Sequence, residues 1–183
     1  MTSLIEKLHA VHESLAAAKL PHAFGGAIAL AYCTQEPRGT RDLDVNIFVQ
    51  RDRAADALGA LPDGVKVAQA DIDQVLRDGQ TRVWWDETPV DVFLNNLPLH
   101  DRVAKGVRWR PLAGRDVPLL DCTSLALFKA FFNRTKDWAD LEAIAEATPG
   151  DIADAADWLE ELDPDDQAIA RMRQLAAQPP AAP

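Results

Sequence analysis

The sequence contains few of the residues that support a disulfide scaffold, a thiolate metal site or a membrane span. Only two of the 183 residues are cysteines, Cys33 and Cys122, which is too few for a disulfide scaffold or a cysteine zinc site. Cys33 lies in an apolar segment, where we expect a buried free thiol. No window approaches about 18 consecutive apolar residues, the length that a membrane-spanning helix needs. Glu6 and Glu13 interrupt the amino-terminal segment, so we expect no signal peptide and a soluble, cytoplasmic protein.

Positive charge is also scarce. The chain has 19 Lys and Arg against 29 Asp and Glu, a formal net charge of -10, which excludes attraction to DNA or a membrane surface through bulk positive charge. Residues 101–136 are the locally cationic stretch and could concentrate positive potential around a polyanionic ligand. The alternative is an ordinary solvated surface. The basic residues of this stretch are Arg102, Lys105, Arg108, Arg110, Arg115, Lys129, Arg134 and Lys136.

The pattern of apolar residues divides the chain into two parts. At 48%, the apolar fraction is enough for a hydrophobic core. Strand-like and helix-like segments alternate up to about residue 116, whereas the periodicity after Asp121 is helical throughout. We therefore predict an α/β (α+β) unit over 1–116, a helical segment over 117–178 and a flexible tail over 179–183. The predicted strands are 22–24, 42–49, 65–69, 81–85 and 89–95.

A pair of glycines, Gly25 and Gly26, separates the first strand from a helix. Glycine lets backbone N–H groups approach an anion closely, and the start of the following helix favours negative charge. This pair is therefore a candidate phosphate-binding turn. Taken alone, a glycine pair after a strand is usually only a tight turn.

Asp42 and Asp44 open the strand over 42–49, sixteen residues after Gly26. Residues two apart on a strand point to the same side, about 6.5–7 Å apart at the backbone, so two carboxylates can converge on one or two hard cations. Magnesium is preferred because all the ligands are oxygen and phosphate and water can complete its octahedron. Solvated surface charge is the alternative.

Asp91 is a lone acid among the apolar residues of the strand over 89–95. Such a carboxylate is unfavourable to bury without a partner, and a nearby cation would remove that penalty. An edge-strand charge is the alternative. The three acids and the glycine pair together are more specific than any one of them.

This combination resembles the nucleotidyltransferase signature of the DNA polymerase beta superfamily. Residues 22–30 (HAFGGAIAL) and 38–45 (RGTRDLDV) resemble the minimal nucleotidyltransferases of the AbiEii type, many of which are toxins of toxin–antitoxin or abortive-infection systems. The helical part of that type carries a lysine followed by a basic–acidic pair, and Lys129 and Asp137 occupy those places. The resemblance covers about residues 20–50, 85–95 and 120–145.

The resemblance implies a nucleotidyltransferase palm, a mixed sheet flanked by helices, followed by a C-terminal helical bundle segment. It implies two Mg²⁺ ions held by Asp42 and Asp44, one of them shared with Asp91, which would help to deprotonate an acceptor hydroxyl. Lys129 would meet the charge that develops on the phosphate, and Asp137 would orient Lys129 or contact the nucleotide. The implied nucleotide-binding residues are Gly25, Gly26, Arg41 and Lys129.

Two further positions matter if the resemblance holds. The commonest superfamily version has serine as the second residue of the glycine pair, whereas Gly26 supplies only its amide, so binding of phosphate would depend more on Lys129 or a nearby arginine such as Arg41. Thr40 lies where relatives with kinase-type antitoxins are phosphorylated. A phosphate there would add about -1.5 to -2 charges beside the metal-binding acids.

The function expected from the resemblance is that of a Mg²⁺-dependent toxin. It would transfer a nucleotide from NTP to an RNA acceptor, with the tRNA 3′ end as first choice, and release pyrophosphate. The expected partners are NTP, that RNA and a cognate antitoxin protein, with no membrane. Two alternatives stay open: transfer to a protein hydroxyl or a small molecule, and a catalytically inactive regulatory module of the same fold.

Overall fold

The computed structural model of the chain describes residues 2–95 and 99–178. The predicted flexible tail, 179–183, lies outside the described residues. Within those two ranges, every helix is too short or too polar to cross a membrane.

The chain divides into two compact units. The first contains the residues up to 26 and residues 40–120, and the second contains residues 27–39 and the chain from 121 onward. The second unit is therefore assembled from two separate stretches of sequence. The predicted boundary at 116/117 falls inside the last strand of the first unit.

The described part of the first unit contains a seven-stranded mixed sheet. Its strands are β1 (His22–Phe24), β2 (Leu43–Gln50), β3 (Val65–Lys66), β4 (Gln80–Trp85), β5 (Thr88–Asn95), β6 (Arg108–Leu112) and β7 (Arg115–Leu119). They are ordered β3-β4-β5-β2-β1-β7-β6, with β2 and β5 parallel, β1 and β7 parallel, and the other neighbours antiparallel. The predicted α/β class is confirmed.

Helices complete the first unit. They are α1 (Leu4–Ala17), α3 (Ala54–Gly59), α4 (Gln69–Asp78) and α5 (His100–Gly106), with a 3-10 turn before α3. A capping box begins α1, since the Ser3 hydroxyl accepts the Glu6 N–H and the Glu6 carboxylate accepts the Ser3 N–H. The strand predicted over 65–69 is shorter than expected: β3 contains only Val65 and Lys66, and α4 begins at Gln69. The sequence pattern does not predict α5 or the β6–β7 hairpin.

Alternation along β2 and β5 determines which side chains leave the core. Leu43, Val45 and Ile47 are fully buried on β2, and Val90 and Val92 are fully buried on β5. The residues between them therefore extend from the other face of the sheet, because successive side chains of a strand point to opposite faces. This pattern brings the acidic residues of both strands to one surface.

The described part of the second unit is helical. It contains α2 (Gly26–Thr34), whose first residue still belongs to the first unit, together with α6 (Cys122–Phe132), α7 (Thr135–Ala147), α8 (Pro149–Leu162) and α9 (Ala168–Ala176). Asp121 caps α6 by accepting the Ser124 N–H at 2.8 Å, and Asn133, in the left-handed region at φ 50°, ends it. The core of the second unit consists of fully buried apolar side chains, among them Leu127, Leu141, Ile144, Ile152 and Leu159.

The expectation of a free thiol at Cys33 is wrong. Cys33, near the end of α2, forms a disulfide with Cys122, the first residue of α6, with Cα atoms 5.6 Å apart. The two cysteines are 89 residues apart in sequence, and no local pattern predicts that the fold brings them together. The bond covalently joins the two stretches that form the second unit.

A histidine pair, with His22 buried and His12 half-buried, joins α1 to β1 in the first unit. His22 Nε2 lies 2.8 Å from His12 Nδ1, and His22 Nδ1 lies 2.7 Å from the Leu20 carbonyl oxygen, to which it donates when neutral. Burial lowers the pKa of both histidines below the ordinary 6.5. Two neutral imidazoles fit this chain of hydrogen bonds when His12 Nδ1–H donates to His22 Nε2.

Stability is expected to fall when the pH drops below about 6.5. In that range the unfolded histidines bind protons that the folded pair resists, so the free energy of unfolding decreases by up to about 1.4 kcal/mol per histidine for each pH unit. Urea unfolding at pH 7.5 and 5.5 measures the slope. The His12→Gln/His22→Gln double variant should flatten it, and an unchanged slope would contradict the assignment.

Candidate active site

Two of the predicted acids lie side by side on the sheet. The parallel pairing of β2 and β5 places Asp44 directly opposite Asp91, on strands about 4.8 Å apart. Both residues alternate with fully buried neighbours, so their carboxylates extend from the same face. Asp42 lies one residue before β2 begins and two before Asp44. The fold therefore gathers negative charge where β2 and β5 meet.

Arg82 on β4 completes this row. The antiparallel pairing of β4 and β5 places it opposite Asp91. Its Nε and Nη2 donate to Asp91 Oδ1 and Oδ2 at 2.6 and 2.7 Å, so a bidentate ion pair engages both oxygens. The hydrogen bond to Asp91 is the first cause that raises the pKa of Arg82, and the charges of Asp42 and Asp44 add to it. The guanidinium is thus a cation that faces the acidic cluster.

Sequence reasoning missed Arg82, although a signal for it exists. The two predicted strands, 81–85 and 89–95, form a hairpin whose register pairs Trp85 with Thr88 around Asp86 and Glu87. Counting outward from that turn places Arg82 opposite Asp91. An arginine directly across from a lone acid is a favourable cross-strand pair.

Gly26 is packed against the Asp44 carboxylate. A Cβ atom at position 26 would lie 1.9 Å from Asp44 Oδ2, and the residue has φ +55°, in the left-handed region. Both features favour glycine over a residue with a Cβ atom at this position. The Gly25 N–H donates to the Asp44 carbonyl oxygen at 2.9 Å, so this amide holds the strand rather than facing outward as an anion donor.

Substitution of Gly26 tests this packing. We expect Gly26→Ala to lower the free energy of unfolding by about 2 kcal/mol, because alanine is strained at positive φ and its methyl group displaces the carboxylate. Gly25→Ala should have less effect, since its nearest new contact, at 3.1 Å, is the movable end of the Leu120 side chain. Gly39→Ala, which meets nothing within 4 Å, is the neutral control. Equal stability of the Gly26 and Gly39 variants would contradict the packing argument.

Thr40 is hydrogen-bonded to Asp42 just before β2 begins. Thr40 Oγ1 donates to Asp42 Oδ1 at 2.5 Å, and Thr40 is half-buried. Arg41, a predicted nucleotide-binding residue, is exposed. Phosphorylation of Thr40 would replace this hydrogen bond by repulsion between a phosphate and the carboxylate.

The predicted residues of the helical part form a buried ion-pair cluster within the second unit. Lys129 Nζ lies 2.5 Å from Asp140 Oδ2 and 3.9 Å from Asp137 Oδ1, and all three side chains are more than nine-tenths buried. Arg38 forms a bidentate pair with Asp140, and Arg134 pairs with Asp137. Burial opposes ionisation of Asp137, but the hydrogen bonds and charge of Arg134 give it a lowered pKa. Sequence reasoning missed the roles of Asp140 and Arg38.

Breaking this cluster should destabilise the protein. We expect Asp140→Asn to lower the free energy of unfolding by about 3 kcal/mol, because it leaves the buried Lys129 ammonium with only the more distant Asp137. The control is Arg38→Gln, whose side chain is 51% exposed and whose loss should remove at most about 1 kcal/mol. Urea unfolding measures both. Equal losses would show that burial of Lys129 does not control stability.

The carboxylates near β2 and β5 fit a hard divalent cation by their chemistry. They offer oxygen ligands only, on neighbouring strands, which is the donor set that Mg²⁺ prefers. In the described conformation, the carboxylate of Asp91 is bound by Arg82 and that of Asp42 by Thr40. Across residues 2–95 and 99–178, no three His, Cys, Asp or Glu side chains are grouped to hold a metal ion. The two Mg²⁺ ions stay a prediction.

The cationic stretch at 101–136 is less open than its composition suggests. Arg115 pairs with Glu13, while Lys129 and Arg134 belong to the ion-pair cluster of the second unit. At least three of its eight basic side chains are thus neutralised by carboxylates. Trp109 on β6 is 58% exposed, between the exposed Arg108 and Arg110.

Comparison with known proteins identifies the fold. No protein-family model and no curated protein matches the chain. The solution structure of the antibiotic-resistance factor ANT(2'')-Ia matches with a TM-score of 0.62 and 13% identity, over 86% of this chain and 91% of that chain. Its crystal structure in complex with adenylyl-2''-tobramycin matches with a TM-score of 0.55 and 12% identity, over 93% and 97%. The chain therefore has the nucleotidyltransferase fold predicted from the sequence, whereas the AbiEii type stays a prediction.

Proposed function

We propose that this chain is a divalent-cation-dependent nucleotidyltransferase that moves a nucleotide from NTP to an acceptor hydroxyl and releases pyrophosphate. The observation that supports this most directly is the pairing of Asp44 with Asp91 on adjacent parallel strands, with Gly26 packed on Asp44. Asp42 adds a third carboxylate beside this pair. The fold is one that carries such chemistry, and the acids lie in the order that the superfamily signature requires.

In the proposed reaction, Asp42, Asp44 and Asp91 would hold Mg²⁺, which neutralises triphosphate charge and polarises the phosphoryl group. Asp91 accepts the proton of the acceptor hydroxyl after its ion pair with Arg82 opens. The hydroxyl oxygen forms a bond to the α-phosphorus, and the bond from that phosphorus to the bridging oxygen breaks, so that pyrophosphate leaves with the electron pair. The predicted contact of Lys129 with phosphate stays a prediction, and its buried pair with Asp140 supports a structural role.

A small, positively charged molecule with a free hydroxyl is the acceptor that we favour. The net charge of -10 attracts a cation and repels a polyanion. The ion pairs of Arg115, Lys129 and Arg134 reduce the positive surface that RNA would need. The complex of ANT(2'')-Ia with adenylyl-2''-tobramycin supports the same choice, because it holds an adenylylated amino sugar.

An RNA acceptor, with the tRNA 3′ end as first choice, is the second candidate. The exposed Trp109 between two exposed arginines favours it, because aromatic rings stack on bases and arginines bind phosphate. In that case the chain would be a toxin with a cognate antitoxin. Phosphorylation of Thr40 would then inhibit it by placing a phosphate against Asp42.

The experiment is an incubation with Mg²⁺ and each α-labelled NTP, in parallel with a panel of amino sugars, total RNA and lysate protein. Label on an amino sugar supports the favoured acceptor. Label on RNA supports the toxin, and label on protein supports transfer to a protein hydroxyl. Absence of both label transfer and pyrophosphate release in every mixture would contradict the proposed function and leave the inactive regulatory module.

A further inference from the structure

The ion pair between Arg82 and Asp91 has a specific geometry. The guanidinium binds both Asp91 oxygens, at 2.6 and 2.7 Å, from the neighbouring strand. It also interacts electrostatically with Asp42 and Asp44. The positive charge of Arg82 therefore acts on all three carboxylates.

Both oxygens of Asp91 are occupied in this arrangement. A cation that uses Asp91 must displace the guanidinium from at least one of them. The Arg82 side chain is 50% exposed and that of Asp91 18% exposed, so the pair borders solvent. Because the pair borders solvent, water can compensate part of the lost contacts when the pair opens.

We infer that Arg82 is a positioning residue that holds Asp91 and competes with the divalent cation for its carboxylate. Arg82 thereby sets the cation affinity of the acidic cluster. The inference rests on the proposed function, since it concerns the same acids. It implies that the cluster binds cations weakly until the arginine moves away.

The test measures Mn²⁺ binding without nucleotide, by the electron paramagnetic resonance signal of free Mn²⁺. Arg82→Gln should bind Mn²⁺ about tenfold more tightly than the unmodified protein, because a positive charge a few ångströms from the cation is removed. Arg82→Lys, which keeps the charge without the bidentate geometry, should lie between them. The matched control is Arg53→Gln, an arginine of the first unit that is 51% exposed and paired with Asp56, which should change the affinity less than about twofold.

The outcomes separate this inference from the proposed function. Equal or weaker Mn²⁺ binding by Arg82→Gln, or an equal gain in Arg53→Gln, overturns the inference. If the unmodified protein transfers label in that case, the proposed function still stands. If Arg82→Gln binds more tightly and the unmodified protein transfers no label, the competition is supported and the proposed function fails. Replacement of a purely structural arginine would change the thermal unfolding midpoint but not the Mn²⁺ affinity. The affinity is therefore the measurement that decides.

Discussion

Asp44→Asn is expected to reduce nucleotidyl transfer by about a thousandfold or more. Asp44 is the acid that is packed on Gly26 and paired in register with Asp91, so it is central to the candidate site. Asparagine has nearly the same shape but lacks the charge that binds a hard cation, and loss of that interaction raises the barrier by several kcal/mol. Initial rates of label transfer at saturating Mg²⁺ measure the effect.

The matched control for this substitution is Asp116→Asn. Asp116 is an exposed acid of the same unit, on β7, and its removal changes the net charge by the same amount. This variant should keep the full rate. If Asp44→Asn unfolds at the same urea concentration as the unmodified protein and retains most of the activity, the acids on β2 and β5 are not the active site.

Reduction of the Cys33–Cys122 disulfide should lower the free energy of unfolding by up to about 4.6 kcal/mol. The bond closes a loop with a sequence separation of 89 residues. Closing a loop of this length lowers the conformational entropy of the unfolded chain, and this loss corresponds to the stated free energy. The bond also holds α2 against α6 within the second unit. Urea unfolding with and without a reductant measures the difference.

The control is the Cys33→Ala/Cys122→Ala variant, which should be as unstable as the reduced protein and insensitive to reductant. Equal stability of the oxidised and reduced proteins would contradict the expectation. Disulfides persist in oxidising compartments and are rare in the cytosol. Thiol labelling of the protein as isolated from cells therefore also tests the predicted cytoplasmic location.

Local patterns were sufficient for much of the fold and for the acids of the candidate site. The alternation from Leu43 to Val49 is a local property of the chain, and it gives β2 and the side to which Asp44 points. The β6–β7 hairpin cannot be predicted from apolar alternation, because β6 is exposed along most of its length and lacks that pattern. Pairings between distant segments escape it as well, because no local pattern encodes them.

Arg82 and Lys129 show the two kinds of failure. The position of Arg82 opposite Asp91 follows from the register of the β4–β5 hairpin, which is a local property of the sequence. The burial of Lys129 depends on Asp140, which follows in the next helix, and on Arg38 from a loop about ninety residues earlier. An amphipathic pattern cannot distinguish a lysine held in this way from one that faces solvent.

The split origin of the second unit has a consequence for synthesis on the ribosome. Residues 27–39 emerge roughly 80 residues before Asp121, and at about 5–20 residues per second their helical partners follow about 4–16 seconds later. During that interval Cys33 has no Cys122 to bond with, whereas β1 and β2 can already pair. Part of the sheet can therefore form while α2 still lacks its helical partners and exposes apolar side chains that a chaperone could recognise.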